Sequence, residues 1–128
     1  MKTGAEKKIL LIIEDDEILL RALYLTFQKK NYTIATATDG ESALKMTERM
    51  KPGLILLDLI IPKMDGFEYL KNMKSNAKLA RIPVIVLSNL GTQEDIDRAK
   101  ELGAMDYFVK SDTNLSDLAK KVEKVLAG

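Results

Sequence analysis

The stretch ILLIIEDDE (residues 9–17) runs through five apolar residues and then into four consecutive carboxylates, Glu14, Asp15, Asp16 and Glu17. An apolar run this short with no polar face reads as a strand covered on both sides, the kind found in a parallel sheet with helices on each face. The acidic end raises a separate question. Two carboxylates about 4 Å apart repel by roughly 4 kcal/mol at an effective dielectric of about 20, so crowding them beside a core calls for a compensating cation. The stretch therefore points both to an α/β sheet and to a metal site at its edge.

Working outward, short runs rich in Leu, Ile and Val alternate with longer segments whose apolar residues recur at helical spacing, the pattern of βαβ units. The strands are expected at ILLII (9–13), YTIAT (32–36), LILLD (54–58), PVIVLS (83–88) and YFVK (107–110). Helices are expected at about 16–30, 40–50, 65–75, 92–102 and 115–126. Boundary residues agree with them: Asp39 and Thr92 are good N-caps, Gly103 ends the fourth helix, Thr113 or Asn114 precedes the fifth, and Asp15 or Asp16 can cap the first. No internal repeat, linker or low-complexity stretch interrupts the series.

The 128 residues are 46% hydrophobic and 30% charged, the profile of one soluble domain, read as residues 1–128 with a core at about 8–127. There is no cysteine and no histidine, so disulfides, thiolate sites and imidazole chemistry are excluded and any metal must be held by oxygen. Twenty basic and 19 acidic residues leave a net charge of +1, which favours neither nucleic acid nor a membrane surface. The N-terminal MKTGAEKK leads into an apolar run too short for a signal segment or a membrane span, and a cytoplasmic protein is expected.

Ligands of an open parallel sheet bind at the carboxyl ends of its strands. Glu14 and Asp15 follow the first strand, Asp58 ends the third, Ser88 the fourth and Lys110 the fifth, so four strands deliver polar groups to one edge. Taken singly each has an ordinary reading: a helix cap, a strand-end hydroxyl, a solvated lysine. Asp58 is the hardest to read that way, because it interrupts GLILLDLIIP, where a buried carboxylate without partners is costly. Together the residues are the set that phosphoryl transfer onto a carboxylate requires. Asp58 is the nucleophile, and Asp15, Asp58 and, through water, Glu14 hold Mg²⁺ (or Mn²⁺). Lys110 contacts one phosphoryl oxygen and Ser88 hydrogen-bonds another.

At this point the chain resembles the response-regulator receiver domain of two-component signalling, chemotaxis regulators among them. The resemblance covers essentially the whole chain and is carried by LIIEDDE, LLDLIIPKMDG (56–66), IPVIVLSN (82–89) and GAMDYFVKSD (103–112). It implies a flavodoxin-like doubly wound (βα)5 fold with a five-stranded parallel sheet in the order 2-1-3-4-5. It also implies that Glu14 and Asp15 are the acidic pair, Asp58 the phosphoacceptor and Ile60 the residue whose backbone carbonyl completes the metal shell. Ser88 resembles the switch hydroxyl, Tyr107 the switch aromatic and Lys110 the family's lysine, while Met64, Asp65 and Gly66 match the turn that opens the third helix after Pro62. Such a domain catalyses only its own phosphorylation and dephosphorylation. Its implied partners are a sensor histidine kinase or histidine phosphotransfer domain, and a downstream protein that reads the face made by the fourth helix, fifth strand and fifth helix.

Two residues depart from the family pattern. Ser111 follows Lys110 where the family usually has proline, often after a cis bond; cis before serine costs about 3 kcal/mol, so a trans bond is expected, with a lysine loop that runs differently. Asn89 stands beside Ser88 where a small residue is more usual, and its bulk narrows access to Asp58. Ile60 and Leu90, two places after Asp58 and Ser88, are both apolar; neither positions a water, so a long-lived phosphorylated form is expected.

The segment EILLRALYLTF (17–27) is apolar almost all round, with Leu19, Leu23 and Phe27 on one stripe and Leu20 and Tyr24 on another. One stripe suffices for packing on the sheet; the second reads as a docking face for the kinase or transfer domain, or as a homodimer contact. Two other function classes fit less well. A Mg²⁺-dependent phosphohydrolase or nuclease wants a second acid near Asp58, but Leu59 and Ile60 follow it, and a nucleotide binder wants a glycine-rich loop where EDDE stands. The remaining alternative is a receiver-like binding module that works without phosphorylation. The chain stops at Gly128 after the fifth helix, and no output domain is expected within it.

Overall fold

Lys8–Ile13 form strand β1, and the residues of its inner part show why the chain folds in layers. Leu10 and Ile12 point to one face of the sheet, Leu11 and Ile13 to the other, and all four are buried. The computed structural model describes residues 8–127; the reading of MKTGAEKK as no signal segment falls largely on residues 1–7 and lies outside the described residues.

The order along the chain is β1, α1 (Glu17–Gln28), β2 (Tyr32–Ala37), α2 (Gly40–Met50), β3 (Leu54–Leu57), α3 (Gly66–Lys74), β4 (Val84–Ser88), α4 (Gln93–Glu101), β5 (Asp106–Val109), a single 3-10 turn (Lys110–Asp112) and α5 (Leu115–Ala127). All strand pairs are parallel and the sheet order is β2-β1-β3-β4-β5, as the resemblance implies. Leu11, Ile13, Ile55 and Leu57 pack on one face with Ala43 of α2, Tyr69, Leu70 and Met73 of α3, and Ala99 of α4. On the other face Leu10, Ile12, Leu54 and Leu56 meet Leu23 and Phe27 of α1 and Leu118, Val122 and Leu126 of α5. Each fully buried Leu or Phe contributes roughly 1.5–3 kcal/mol, so both faces of the sheet are firmly covered. Central β3 and β4 are buried throughout, whereas the edge strands β2 and β5 are mostly half-buried, which is why their sequences are less uniformly apolar.

Element ends differ from the sequence-based expectation by a residue or two, for identifiable reasons. Asp16, Asp39, Asp65 and Thr92 stand outside α1, α2, α3 and α4 as N-caps, each side chain accepting a backbone N–H of the first turn. Asn114 performs this task for α5, with its Oδ1 accepting the N–H of Asp117 at 2.8 Å. β4 begins at Val84, because Pro83 has no N–H to give, though its carbonyl still accepts from Ile55 at 3.0 Å. β3 ends at Leu57, one residue before Asp58. β5 ends at Val109, and Lys110 opens the 3-10 turn instead of closing the strand. The turn forms because Thr113 bonds back twice, its N–H to the Lys110 carbonyl and its hydroxyl to that of Val109.

The connection from β3 to α3 is pinned to its neighbours. Gly66 donates its N–H to the Leu59 carbonyl at 2.9 Å, and a Cβ there would lie 2.5 Å from Leu59 Cα, so only glycine allows this approach. Gly40, at the start of α2, donates to the Pro62 carbonyl at 3.2 Å and ties the same loop down from the other side. A buried hydroxyl pair at 2.6 Å, Thr47 on α2 with Tyr69 on α3, joins the helices that flank it.

Candidate functional site

The sheet register dictates which residues meet. Ile13 of β1 pairs with Leu57 of β3, so the next residue of each strand, Glu14 and Asp58, emerges side by side at the carboxyl edge. The ladder carries both one step further: Asp58 donates its N–H to the Ile13 carbonyl at 3.0 Å, and Glu14 donates to the Ala37 carbonyl at 3.0 Å. The carboxylates are therefore fixed by backbone pairing rather than by a mobile loop. Carboxylate oxygens of Glu14, Asp15 and Asp58 lie within 4.8 Å of one another. These hard oxygen donors, with no thiolate or imidazole in the sequence, fit a hard divalent cation.

The cation already present is Lys110, whose ammonium stands 2.9 Å from Asp58 Oδ2 and 2.9 Å from Glu14 Oε1. Glu14 is 2% exposed and Lys110 15%, so this is an ion pair in a largely dry environment. Burial pushes the Glu14 carboxyl above its ordinary range, against the pull of Lys110. Burial also works to lower the Lys110 ammonium, but its hydrogen bonds to Asp58 and Glu14 outweigh burial and hold it above the usual lysine value. The remaining donors are backbone: Asp16 N–H on Glu14 Oε2 at 3.0 Å and Ile60 N–H on Asp58 Oδ1 at 3.1 Å. A cleft of about 210 Å³ opens above these groups, walled by Asp15, Asp16, Ile60 and Asn89.

Of the residues singled out from the sequence, Glu14, Asp15, Asp58, Ile60 and Lys110 thus line one cleft, with Asn89 at its wall. Ile60 presents an exposed apolar side chain there. Ser88 and Tyr107 stand behind the cleft instead of in its lining. Ser88 is fully buried, and its hydroxyl accepts the N–H of Leu90 at 3.4 Å. The Tyr107 hydroxyl donates to the carbonyl of the same Leu90, so one residue is held from both ends, and burial raises the Tyr107 phenol above its usual value. The expected displacement of the lysine loop by Ser111 does not reach the Lys110 ammonium, and no peptide among the described residues is cis.

Sequence reasoning did not find the parts of the site that act through backbone. The amides of Asp16 and Ile60 and the two-ended hold on Leu90 have no side-chain signature. The N-terminal helix needs a partial correction. Leu20, assigned to the outer stripe with Tyr24, packs in part against the core, while Ile18, Tyr24 and Leu25 are exposed. A shallow groove of about 380 Å³ runs there between Leu20, Tyr24, Leu25 and Thr36 of β2.

With this geometry in view, comparison with known proteins is informative. The family model described as the response regulator receiver domain matches residues 10–123. Over 103 residues the chain is 36% identical to the alkaline phosphatase synthesis transcriptional regulatory protein PhoP of Bacillus subtilis, covering 80% of this chain and 42% of that one. It is 38% identical over 101 residues to the transcriptional regulatory protein AfsQ1 of Streptomyces coelicolor, covering 79% and 44%. It therefore spans less than half the length of either relative. Among solved structures, a response regulator of Chloroflexus aurantiacus superposes with a TM-score of 0.87 at 26% identity, covering 96% of this chain and 100% of that one. The Mn²⁺-bound form of response regulator Rcp1 superposes with a TM-score of 0.79 at 33% identity, covering 92% and 91%. Strand order, convergent acidic edge and family match agree, and the chain belongs to the response-regulator receiver domain family of two-component signalling.

Proposed function

We propose that Asp58 accepts a phosphoryl group from a phosphohistidine of a sensor kinase or phosphotransfer protein while Mg²⁺ or Mn²⁺ is bound by Glu14, Asp15, Asp58 and the Ile60 carbonyl. Receiver domains as a family bind a divalent metal, work with histidine kinases and downstream effectors, and are not enzymes acting on a separate substrate. The observation that carries the reading is the Lys110 ammonium set against Asp58 Oδ2 where three carboxylates converge.

In the transfer, the P–N bond to the donor imidazole breaks, a P–O bond to an Asp58 carboxylate oxygen forms, and the departing imidazole keeps the electron pair and takes up a proton. An ion held by Glu14, Asp15 and Asp58 would offset charge on the phosphoryl oxygens and let the two anions approach. Lys110 shifts its ammonium onto the phosphoryl group and stabilises the charge that spreads over its oxygens. The amide of Ile60, on Asp58 Oδ1, keeps the carboxylate oriented. Ser88 then gives up the Leu90 N–H for a phosphoryl oxygen, and Tyr107, bonded to the Leu90 carbonyl, is the side chain that follows.

The exposed residues of α1 are proposed as the docking face for the phosphodonor, because the helix follows directly on Asp15 and Asp16, which wall the cleft. The α4-β5-α5 face is proposed as the output surface for a downstream protein, and the cytoplasm as the place of action. The apolar pair Ile60 and Leu90 supports a slowly hydrolysed phosphorylated form. Ile60→Asn combined with Leu90→Glu is expected to hasten phosphate loss, and an unchanged lifetime would count against that part.

The deciding test is the intact mass after incubation with Mg²⁺ and acetyl phosphate, for wild type and Asp58→Ala. One phosphoryl group gained by wild type alone, and only with Mg²⁺, is the expected outcome. No gain by folded wild type would favour a binding module that works without phosphorylation.

A further inference from the structure

The core gives α4 little to hold on to. Ala99 is its one buried residue, with Ile96 half-buried nearby, whereas α3 buries Phe67, Tyr69, Leu70 and Met73. A single buried methyl removes little apolar surface from water, so packing anchors this helix weakly. Its tie to α3 is Arg98, whose guanidinium lies over the Phe67 ring, 4.1 Å from the ring centre. Arg98 forms no ion pair among the described residues, and both side chains stand in the wall of a cleft of about 610 Å³ between the two helices. We infer that the Arg98–Phe67 contact is a clasp that keeps α4 in its resting place and works against the phosphorylated form. This rests on the phosphorylation reading given above.

The two halves of the clasp differ in mobility. Phe67 is a fixed point: it is 7% exposed and follows Gly66, whose N–H is bonded to the carbonyl of Leu59, the residue after Asp58. Arg98 belongs to the loosely packed helix and is exposed. The entry to α4 is held separately, at Leu90, through its N–H to Ser88 and its carbonyl to Tyr107. When Ser88 turns to a phosphoryl group this entry loosens, and Arg98 on Phe67 is what still holds the helix back. Its guanidinium also has somewhere else to go. Glu94 and Glu101, four residues before and three after it, can receive it on its own helix. One side chain thus has two arrangements, as a switching element requires. Neither touches the acidic cleft, whose lining contains no residue of α4. Whatever the clasp takes from the phosphorylated form, its removal gives back, so the affinity for a phosphoryl analogue rises by the factor the clasp supplied.

The test compares wild type, Arg98→Gln and Lys100→Gln by amide hydrogen exchange and by calorimetric titration with beryllofluoride, a phosphoryl analogue, in saturating Mg²⁺. Glutamine keeps a helix propensity close to that of arginine and lysine. Lys100 is exposed on α4 outside the cleft that holds Phe67, and its variant controls for the loss of one positive charge. In Arg98→Gln the amides of Gln93–Glu101 are expected to exchange about threefold faster, and beryllofluoride to bind about threefold tighter, the worth of one exposed cation–π contact. Lys100→Gln should match wild type in both measurements. Unchanged exchange across α4 in Arg98→Gln overturns the clasp. Faster exchange with unchanged or weaker beryllofluoride binding makes Arg98 a structural tie only and overturns its restraining role. In both of these cases wild type binds the analogue, and the inference alone fails. If folded wild type binds no beryllofluoride in Mg²⁺, the phosphorylation reading fails and takes the inference with it.

Discussion

Two lysines with half-hidden side chains stand at opposite edges of the same sheet. Lys110, beyond the carboxyl end of β5, places its ammonium between the carboxylates of Glu14 and Asp58. Lys74, at the end of α3, donates at 3.0 and 2.8 Å to the backbone carbonyls of Ala80 and Ile82, in the connection that leads into β4. Burial works against the charged form of both. At Lys110 the hydrogen bonds to carboxylates win and its pKa rises; at Lys74 nothing opposes burial and its pKa falls. The same side chain thus becomes part of an acidic cluster or part of a loop's scaffolding according to the charge of what it faces. A cation between anions neutralises buried carboxylates, whereas a cation between carbonyls only ties down the backbone.

The largest expected contrast lies in reactivity. Lys110→Met is expected to slow phosphorylation by acetyl phosphate by about a hundredfold, the usual effect of deleting one preorganised charge donor, while Lys74→Met leaves the rate unchanged. Mass spectrometry over a time course measures both, and a comparable loss in the two variants would erase the distinction. The next contrast is in stability. Lys74→Met strands two carbonyls and is expected to lower the unfolding free energy by about 2 kcal/mol. Since Lys74 has no part in the acidic cluster, saturating Mg²⁺ should leave that deficit as it was. A denaturant titration with and without Mg²⁺ decides, and recovery of the Lys74 variant by the ion would contradict the separation.

The contrast also explains what the sequence could disclose. Glu14, Asp58 and Lys110 were legible because each breaks or closes an apolar run, and a charge at the end of a buried strand stands out. The strands and helices were legible for the same reason, as changes of period. Lys74 has no such frame: in LKNMKS it reads as one more polar residue on an amphipathic helix, and its carbonyl partners lie in a loop whose path no side chain encodes. The amides on Glu14 and Asp58, and the Leu90 peptide between Ser88 and Tyr107, were hidden likewise. The outer face of α1 was misread in part because a helix apolar on every side carries no period from which to choose a face.

A smaller effect should follow from crowding Lys74 without touching its charge. Gly103 terminates α4 with φ +110°, and a Cβ there would sit 2.9 Å from Lys74 Cγ. Gly103→Ala is expected to cost about 1 kcal/mol or slightly more from the left-handed backbone alone, and phosphorylation by acetyl phosphate should remain intact. A loss of phosphorylation in this variant would mean that the two edges of the sheet communicate.

The smallest effect is one of sign. Because burial holds the folded Lys74 below the ordinary lysine value of 10.5, the unfolded chain binds that proton more tightly than the folded one. Stability contributed at this position therefore rises as pH increases through the interval between the folded and the unfolded values. The neutral amine keeps hydrogens to donate to Ala80 and Ile82, so deprotonation removes the cost of burying the charge without removing the tie. Lys110 runs the other way: its raised folded value makes its contribution complete below the unfolded value and lost as pH rises through the folded one. The stability difference between wild type and Lys74→Met should accordingly widen from about pH 7 to about pH 10. A difference that narrows over that range would mean that Lys74 answers to an anion after all, and the two lysines would then be alike.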